Sequence, residues 1–177
     1  MRKLHTNELN RLSVEEYKNV TKHKMIIVLD NIRSQNNTGS IFRTSDAFLI
    51  EEIHLCGITA TPPHREIHKT ALGATESVSW KYFPNTIDSI TALKKKGYIV
   101  YGLEQTDSSI SIDKFIPDPA SKIALVFGNE VEGIDNKVLA VLDACIEIPQ
   151  YGTKHSLNVS VVAGIVIWQI LNKRILG

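Results

Sequence analysis

Apolar residues along this chain fall in short unbroken runs set apart by amphipathic stretches. The runs at 25–29, 53–57, 78–83, 98–103, 122–127 and 145–148 read as strands, and a continuous run such as Met-Ile-Ile-Val-Leu at 25–29 marks a strand buried on both faces. Between them, 40–50, 86–96 and 136–142 carry helical spacing, the second closed by Gly97. Residues 157–175 are apolar almost all round and predict a long, mostly buried helix. Strands alternating with helices predict a parallel sheet covered on both faces. With no repeat, low-complexity tract or linker, 25–177 reads as one α/β domain. A short helical arm at 1–24 precedes it, and Ser13-Val-Glu-Glu16 has the capping-box pattern.

Ligands of such sheets bind beyond the carboxyl ends of the strands, so the loops after Leu29, Leu103, Phe127 and Ile148 are where chemistry is expected. None of the 10 glycines builds a G-x-G-x-x-G. Gly97/Gly102 and Gly128/Gly133 have Walker spacing, but no Lys follows the second glycine of either pair. A dinucleotide-dependent dehydrogenase and a P-loop NTPase are thereby disfavoured.

Three polar constellations occupy the loops instead. Asn37-Thr-Gly-Ser-Ile-Phe-Arg43 enters a helix. Asn and Gly there suit a tight turn, the helix start offers N–H groups to an anion, and the fork of Arg43 suits a phosphate. The plainer alternative is a capping Asn and a solvated Arg. In Leu125-Val-Phe-Gly-Asn-Glu-Val-Glu-Gly133, Glu130 stands just past a buried strand, placed to meet a ligand or to cap the next helix; Glu132 is expected to be exposed. In Ile148-Pro-Gln-Tyr-Gly-Thr-Lys-His-Ser-Leu-Asn158, Ser156 is the expected N-cap of the last helix, which leaves Asn158 inside its first turn unexplained.

The 177 residues suit a single full core; 43% are apolar and 22% charged, as in an ordinary globular protein. A net charge of +1 means that any nucleic-acid contact must be local. Cys56 and Cys145 lie in strand-like runs and are expected as buried thiols, not as a disulfide or metal pair. The N-terminus has no signal-peptide pattern and the longest apolar stretch, at 159–167, is too short to span a bilayer; a cytoplasmic location is expected.

The three constellations, read as Asn-x-Gly-x-Ile-x-Arg, Phe-Gly-Asn-Glu-x-x-Gly and Ile-Pro-x-x-Gly-x-x-x-Ser-Leu-Asn-Val-Ser, resemble the three motifs of the SpoU (TrmH-like) branch of SPOUT RNA methyltransferases. Lys69-Thr-Ala-Leu-Gly-Ala74 is similar to a further segment of that branch, and the resemblance runs from Met25 to the C-terminus. It implies a deep trefoil knot in the C-terminal part of the fold, a homodimer, S-adenosylmethionine as methyl donor with S-adenosylhomocysteine as product, and methylation of a ribose 2′-hydroxyl in tRNA or rRNA. It places Leu103, Gly128, Ile148, Ser156 and Leu157 around the cofactor, and Asn37, Arg43, Glu130, Ser156 and Asn158 in the catalytic constellation. Arginine has a pKa above about 12, so orienting the ribose and neutralising a phosphate suit Arg43 better than acting as a base. The sequence departs from the branch at Gln35 and Asn36, where a proline is common before Asn37, and at Ser45, which replaces a common alanine.

Positive charge for RNA is expected in residues 1–24, where six Lys or Arg face three Glu, and in His64-Arg65-Glu-Ile-His68-Lys69. His64 and His68 have the spacing of a metal pair but no evident third ligand, so no metal is expected. Trp80, Tyr82 and Trp168 are expected in the core or a dimer interface. Two alternatives stay beside the ribose methylase: an RNA-binding module without turnover, and a base methyltransferase of another SPOUT branch. A compact chain with a short arm is compatible with an anticodon-loop target, with ribosomal RNA equally open.

Overall fold

The structure is a computed structural model that describes residues 1–176. Its strands are β1 (His23–Asp30), β2 (Ile50–Cys56), β3 (Ser79–Phe83), β4 (Tyr98–Leu103), β5 (Ile110–Ser111), β6 (Lys122–Phe127) and β7 (Ala144–Glu147). They form one sheet in the order β3-β2-β1-β6-β4-β7-β5, and every pairing is parallel. The helices are α1 (Val14–Asn19), α2 (Gln35–Ala47), α3 (Arg65–Ala71), α4 (Ala74–Ser77), α5 (Thr86–Lys95), α6 (Asn136–Leu139) and α7 (Val159–Leu176), with one 3-10 turn at Thr6–Glu8.

Strand side chains alternate between two cores. Ile27, Leu29, Ile53, Leu55, Leu125 and Phe127 face the layer that holds α2, α3 and α7, whereas Val28, Cys56, Val100 and Val126 face α5 and α6. This is the doubly covered α/β sheet that the alternating pattern predicts. The capping box is also present: Ser13 Oγ accepts from Glu16 N–H and Glu16 accepts from Ser13 N–H. α1 is tied to the body by Tyr17, which is buried and donates to the Ser45 carbonyl at 3.4 Å.

Some expectations change. α2 begins at Gln35, capped by Ser34 Oγ on Asn37 N–H, so Asn37 and Gly39 lie inside the helix and not in a turn before it. Gly39 is buried because α3 crosses there: a Cβ would fall on the Ile67 carbonyl and the Thr70 hydroxyl. α7 is not buried all round, since Val161, Ile165 and Trp168 are 50%, 39% and 57% exposed on one stripe. Tyr82 is also exposed, its hydroxyl on the Gly57 carbonyl. Cys56 is buried, Cys145 only half so, and both are free thiols. No helix is long and apolar enough to cross a membrane, among the described residues.

Candidate functional site

The strand ends of β4, β6 and β7 open into a cleft of about 470 Å³. Leu103, Gly128, Ile148, Ser156 and Leu157 all line it, as does Glu130. Its walls are apolar at Phe127, Ile134, Ile146 and Val162 and acidic at Glu104, Glu132 and Glu147. That size fits a ligand of cofactor dimensions. The carboxylates suit a ligand with cationic centres and oppose a polyphosphate.

The β6–α6 loop owes its shape to two glycines and two polar side chains. A Cβ on Gly128 would strike the backbone of Gly133 and Ile134, so this glycine lets the loop close on itself. Gly133 has φ +70°, in the left-handed region. Asn129 exchanges backbone hydrogen bonds with Gly133 at 3.0 and 2.9 Å. Its side chain donates to the Asn31 carbonyl at 2.8 Å and accepts from Val131 and Glu132 N–H. Glu104 braces the loop from β4, accepting from Ile134 N–H and Gln105 N–H, each at 3.0 Å. Neither Asn129 nor Glu104 stood out in the sequence. Asn129 was in plain view inside the second motif, while nothing in the composition around Glu104 marked it.

Glu130 turns away from α6 and caps the entrance to α2. Its carboxylate accepts from Arg33 N–H (2.9 Å), Ser34 N–H (3.0 Å) and Asn37 Nδ2 (3.0 Å). The N–H groups that the helix start was expected to offer to a phosphate are therefore taken by an anion of the protein's own, the Glu130 carboxylate. Burial pushes the Glu130 carboxyl up, but the hydrogen bonds from Arg33, Asn37 and Ser34 outweigh it and hold it below the usual carboxylate range.

The third motif joins the same array. Asn158 Nδ2 donates to Asn37 Oδ1 at 3.1 Å, and Asn158 Oδ1 accepts from Ser160 N–H at 2.9 Å and Ser160 Oγ at 2.6 Å. Asn158, not Ser156, is thus the N-cap of α7, which explains the position that the sequence left open. A carboxylate can only accept, so Glu130 fixes the amide of Asn37 with its nitrogen inward and its oxygen toward Asn158. Residues 37, 130 and 158, one from each motif, form a single chain of hydrogen bonds that meets the cleft at Glu130.

Arg43 is not drawn into this chain. It lies on α2, exposed, without a hydrogen-bond or ion-pair partner among the described residues, on the helix face that also carries exposed Asn36 and Ala47. Six residues at about 100° each put it well round the helix from Asn37. Ser156 and Lys154 are exposed; His155 lines the cleft and its carbonyl accepts from Gln105. Of the basic residues before β1, Arg2 is paired with Glu8 at 2.6 Å, and Lys22 donates to the Tyr17 carbonyl. His64 Nδ1 accepts from Glu66 N–H. No cluster of three or more side chains able to hold a metal is found among the described residues.

The parallel sheet and its converging loops superpose on solved SpoU-type methyltransferases, and this is the fold class of the chain. Residues 24–168 match the SpoU rRNA Methylase family, and the chain belongs to it. It is 27% identical over 168 residues to the tRNA (guanosine(18)-2′-O)-methyltransferase of Thermus thermophilus, covering 95% of this chain and 84% of that protein. It is 30% identical over 173 residues to the 23S rRNA (guanosine-2′-O-)-methyltransferase RlmB of Neisseria meningitidis serogroup B, covering 94% of this chain and 66% of that one. Among solved structures, an AdoMet-bound rRNA methyltransferase from Sinorhizobium meliloti superposes with a TM-score of 0.78 at 26% identity, covering 88% of this chain and 59% of its own.

Proposed function

We propose that this protein transfers a methyl group from S-adenosylmethionine to a ribose 2′-hydroxyl of tRNA or rRNA, as a cytoplasmic homodimer. The observation that carries the reading is the hydrogen-bonded chain Glu130–Asn37–Asn158, which meets the acidic, apolar-walled cleft at Glu130. The relatives named above act on ribose 2′-oxygens, which favours this over a base methyltransferase or an RNA-binding module without turnover.

Leu103, Gly128, Ile148, Ser156 and Leu157 would hold the cofactor, with Glu104 bracing the loop beneath it. When bound there, the cofactor supplies an electrophilic methyl carbon beside a sulfonium. The chain's own work is to bring a hydroxyl in line and to keep the surroundings fixed. Glu130 is ionised and fully engaged, so its part is to hold α2 and Asn37 in place, not to take the ribose proton. Asn37 and Asn158 orient the first turns of α2 and α7 on either side of the approaching ribose. Arg43, exposed and without a partner among the described residues, neutralises a neighbouring phosphate and orients the sugar.

The trefoil knot belongs to this reading: β7 inserts between β4 and β5, with the third motif following it over the cleft. The dimer rests on α7. The stripe Val161–Ile165–Trp168 is too apolar to face water by design, and Gly164 beside it leaves open space where a Cβ would sit, room for a second helix to approach. Sedimentation at micromolar concentration checks this, and a species of single-chain mass would rule the dimer out.

The deciding experiment supplies labelled S-adenosylmethionine with bulk tRNA and rRNA, digests the RNA to nucleosides and identifies the labelled product. A 2′-O-methylnucleoside is expected. A base-methylated nucleoside, or no label, would overturn the assignment.

A further inference from the structure

A second cavity, about 520 Å³, lies at the other end of the sheet, on the α2 side beyond α3. Its walls are Pro62, Pro63, Ile67 and the indole of Trp80, and His64, Arg65, His68 and Glu76 stand round it. Trp80 is on β3, an edge strand paired only with β2, and is half-buried. Its side chain packs against the core cluster on the α2 side of the sheet and also lines the cavity. Three strand intervals of about 4.8 Å separate β3 from β6, so this slot is a few nucleotides of extended strand from the methyl-transfer cleft.

α3 is fixed to the first turn of α2 by the Gly39 crossing and by Thr70 Oγ1, which donates to the Asn36 carbonyl at 3.0 Å. Arg43 on α2, Arg65 and His68 on α3 and His64 at its N-cap are all exposed. Lys69 is spent on Glu66 at 2.7 Å and Lys81 on Glu52 at 2.8 Å, whereas Arg65 has no partner among the described residues. His64 Nδ1 is used as the N-cap acceptor, so its neutral ring carries its proton on Nε2, as a donor.

The geometry points to this slot as a docking site for an unpaired nucleobase of the RNA substrate, flanking the methylated nucleotide. The base stacks on Trp80 between the prolines and imidazoles. Arg65 takes the adjoining phosphate, and Glu76, unpaired among the described residues, accepts from base N–H groups. An aromatic platform with a cation beside it is how proteins hold splayed single-stranded bases. A carboxylate at the base edge favours bases with an amino group over uracil. The inference rests on the RNA methyltransferase reading but uses none of the residues that hold the cofactor.

The test compares wild type with Arg65→Ala, Glu76→Gln and Trp80→Phe, using bulk tRNA and rRNA as methyl acceptors and oligoadenylate and oligouridylate as binding probes. Arg65→Ala is expected to raise the KM for RNA roughly ten-fold, with kcat and S-adenosylhomocysteine affinity unchanged. Oligoadenylate is expected to bind wild type more tightly than oligouridylate, and Glu76→Gln to narrow that gap. If wild type methylates RNA while Arg65→Ala and Glu76→Gln leave KM and the preference unchanged, the slot is not an RNA site, and the methyltransferase reading stands. Absence of methylation by wild type strikes that reading instead; an oligoadenylate preference lost in Glu76→Gln would then still support the slot. Arg65 and Glu76 are exposed, so their variants decide the matter even if Trp80→Phe disturbs folding.

Discussion

Replacing Gly39 by alanine sets two effects of opposite sign against each other. In an exposed helix interior, Gly to Ala gains about 1 kcal/mol. Gly39 is buried in α2 where α3 crosses, and a new Cβ lands on the Thr70 hydroxyl and the Ile67 carbonyl. The Thr70 side chain can rotate away, but it then gives up its bond to the Asn36 carbonyl, worth about 1 kcal/mol. The Ile67 carbonyl is backbone and cannot rotate, so α3 must move as a body. Overpacking of that kind costs about 1–3 kcal/mol. Loss exceeds gain, and Gly39→Ala is expected to destabilise by about 1–3 kcal/mol in denaturant unfolding. Calorimetry with S-adenosylhomocysteine should show near-normal affinity, because no cleft residue is touched. A variant more stable than wild type would refute the close crossing.

Other substitutions test separate parts of the structure. Ser45 is fully buried on α2 and its hydroxyl has no partner among the described residues. Ser45→Ala should therefore stabilise by about 1 kcal/mol, a rise in Tm of about 2–4 °C in a calorimetric scan; a fall would mean that the hydroxyl is satisfied. Arg43→Ala, at an exposed unpaired residue, should leave stability within about 0.5 kcal/mol and cofactor affinity unchanged, yet lower labelled methyl transfer on the order of 100-fold, with little rescue by Arg43→Lys. Near-wild-type turnover would remove it from the site. Glu130 has a folded-state pKa below its unfolded value, so its stabilising contribution is complete above the ordinary carboxylate pKa of about 4.3 and is lost as pH falls through the lowered value. The stability gap between wild type and Glu130→Gln should be widest near pH 7 and shrink in acid; a gap independent of pH would deny the carboxylate its role.

Strands β4 and β6 were legible to the residue, because each is written as a nearly unbroken apolar run, buried along β6 and at alternate residues in β4. β5 was not, since Ile110–Ser111 is a strand only by pairing with β7. α3 was hidden by its shortness and by the prolines before it, and its start rests on a histidine cap that propensity does not favour. The five residues expected round the cofactor do meet in one cleft, because all follow strands whose ends the sheet brings side by side. What sequence could not give was direction. Gly39 and Gly128 look alike as loop glycines, yet one admits a neighbouring helix and the other lets its own loop close. Glu130 was visible as a carboxylate in the right loop, but its partners lie nearly a hundred positions earlier in the chain.

The polarity of the Glu130–Asn37–Asn158 array has a thermodynamic corollary. Asn158 heads α7, just past the 148–157 segment that borders the cleft, and Asn37 sits in the first turn of the helix that bears Arg43. Neither amide can flip alone without setting donor against donor or acceptor against acceptor. Were a ligand in the cleft to draw the 148–158 segment inward, it would shift the free energy of α2 as well, and by reciprocity a ligand on α2 would then alter affinity in the cleft by the same factor. Titration of S-adenosylhomocysteine with and without bulk tRNA reads that factor directly, and identical affinities in the two titrations would mean that the array is a scaffold with no power to signal.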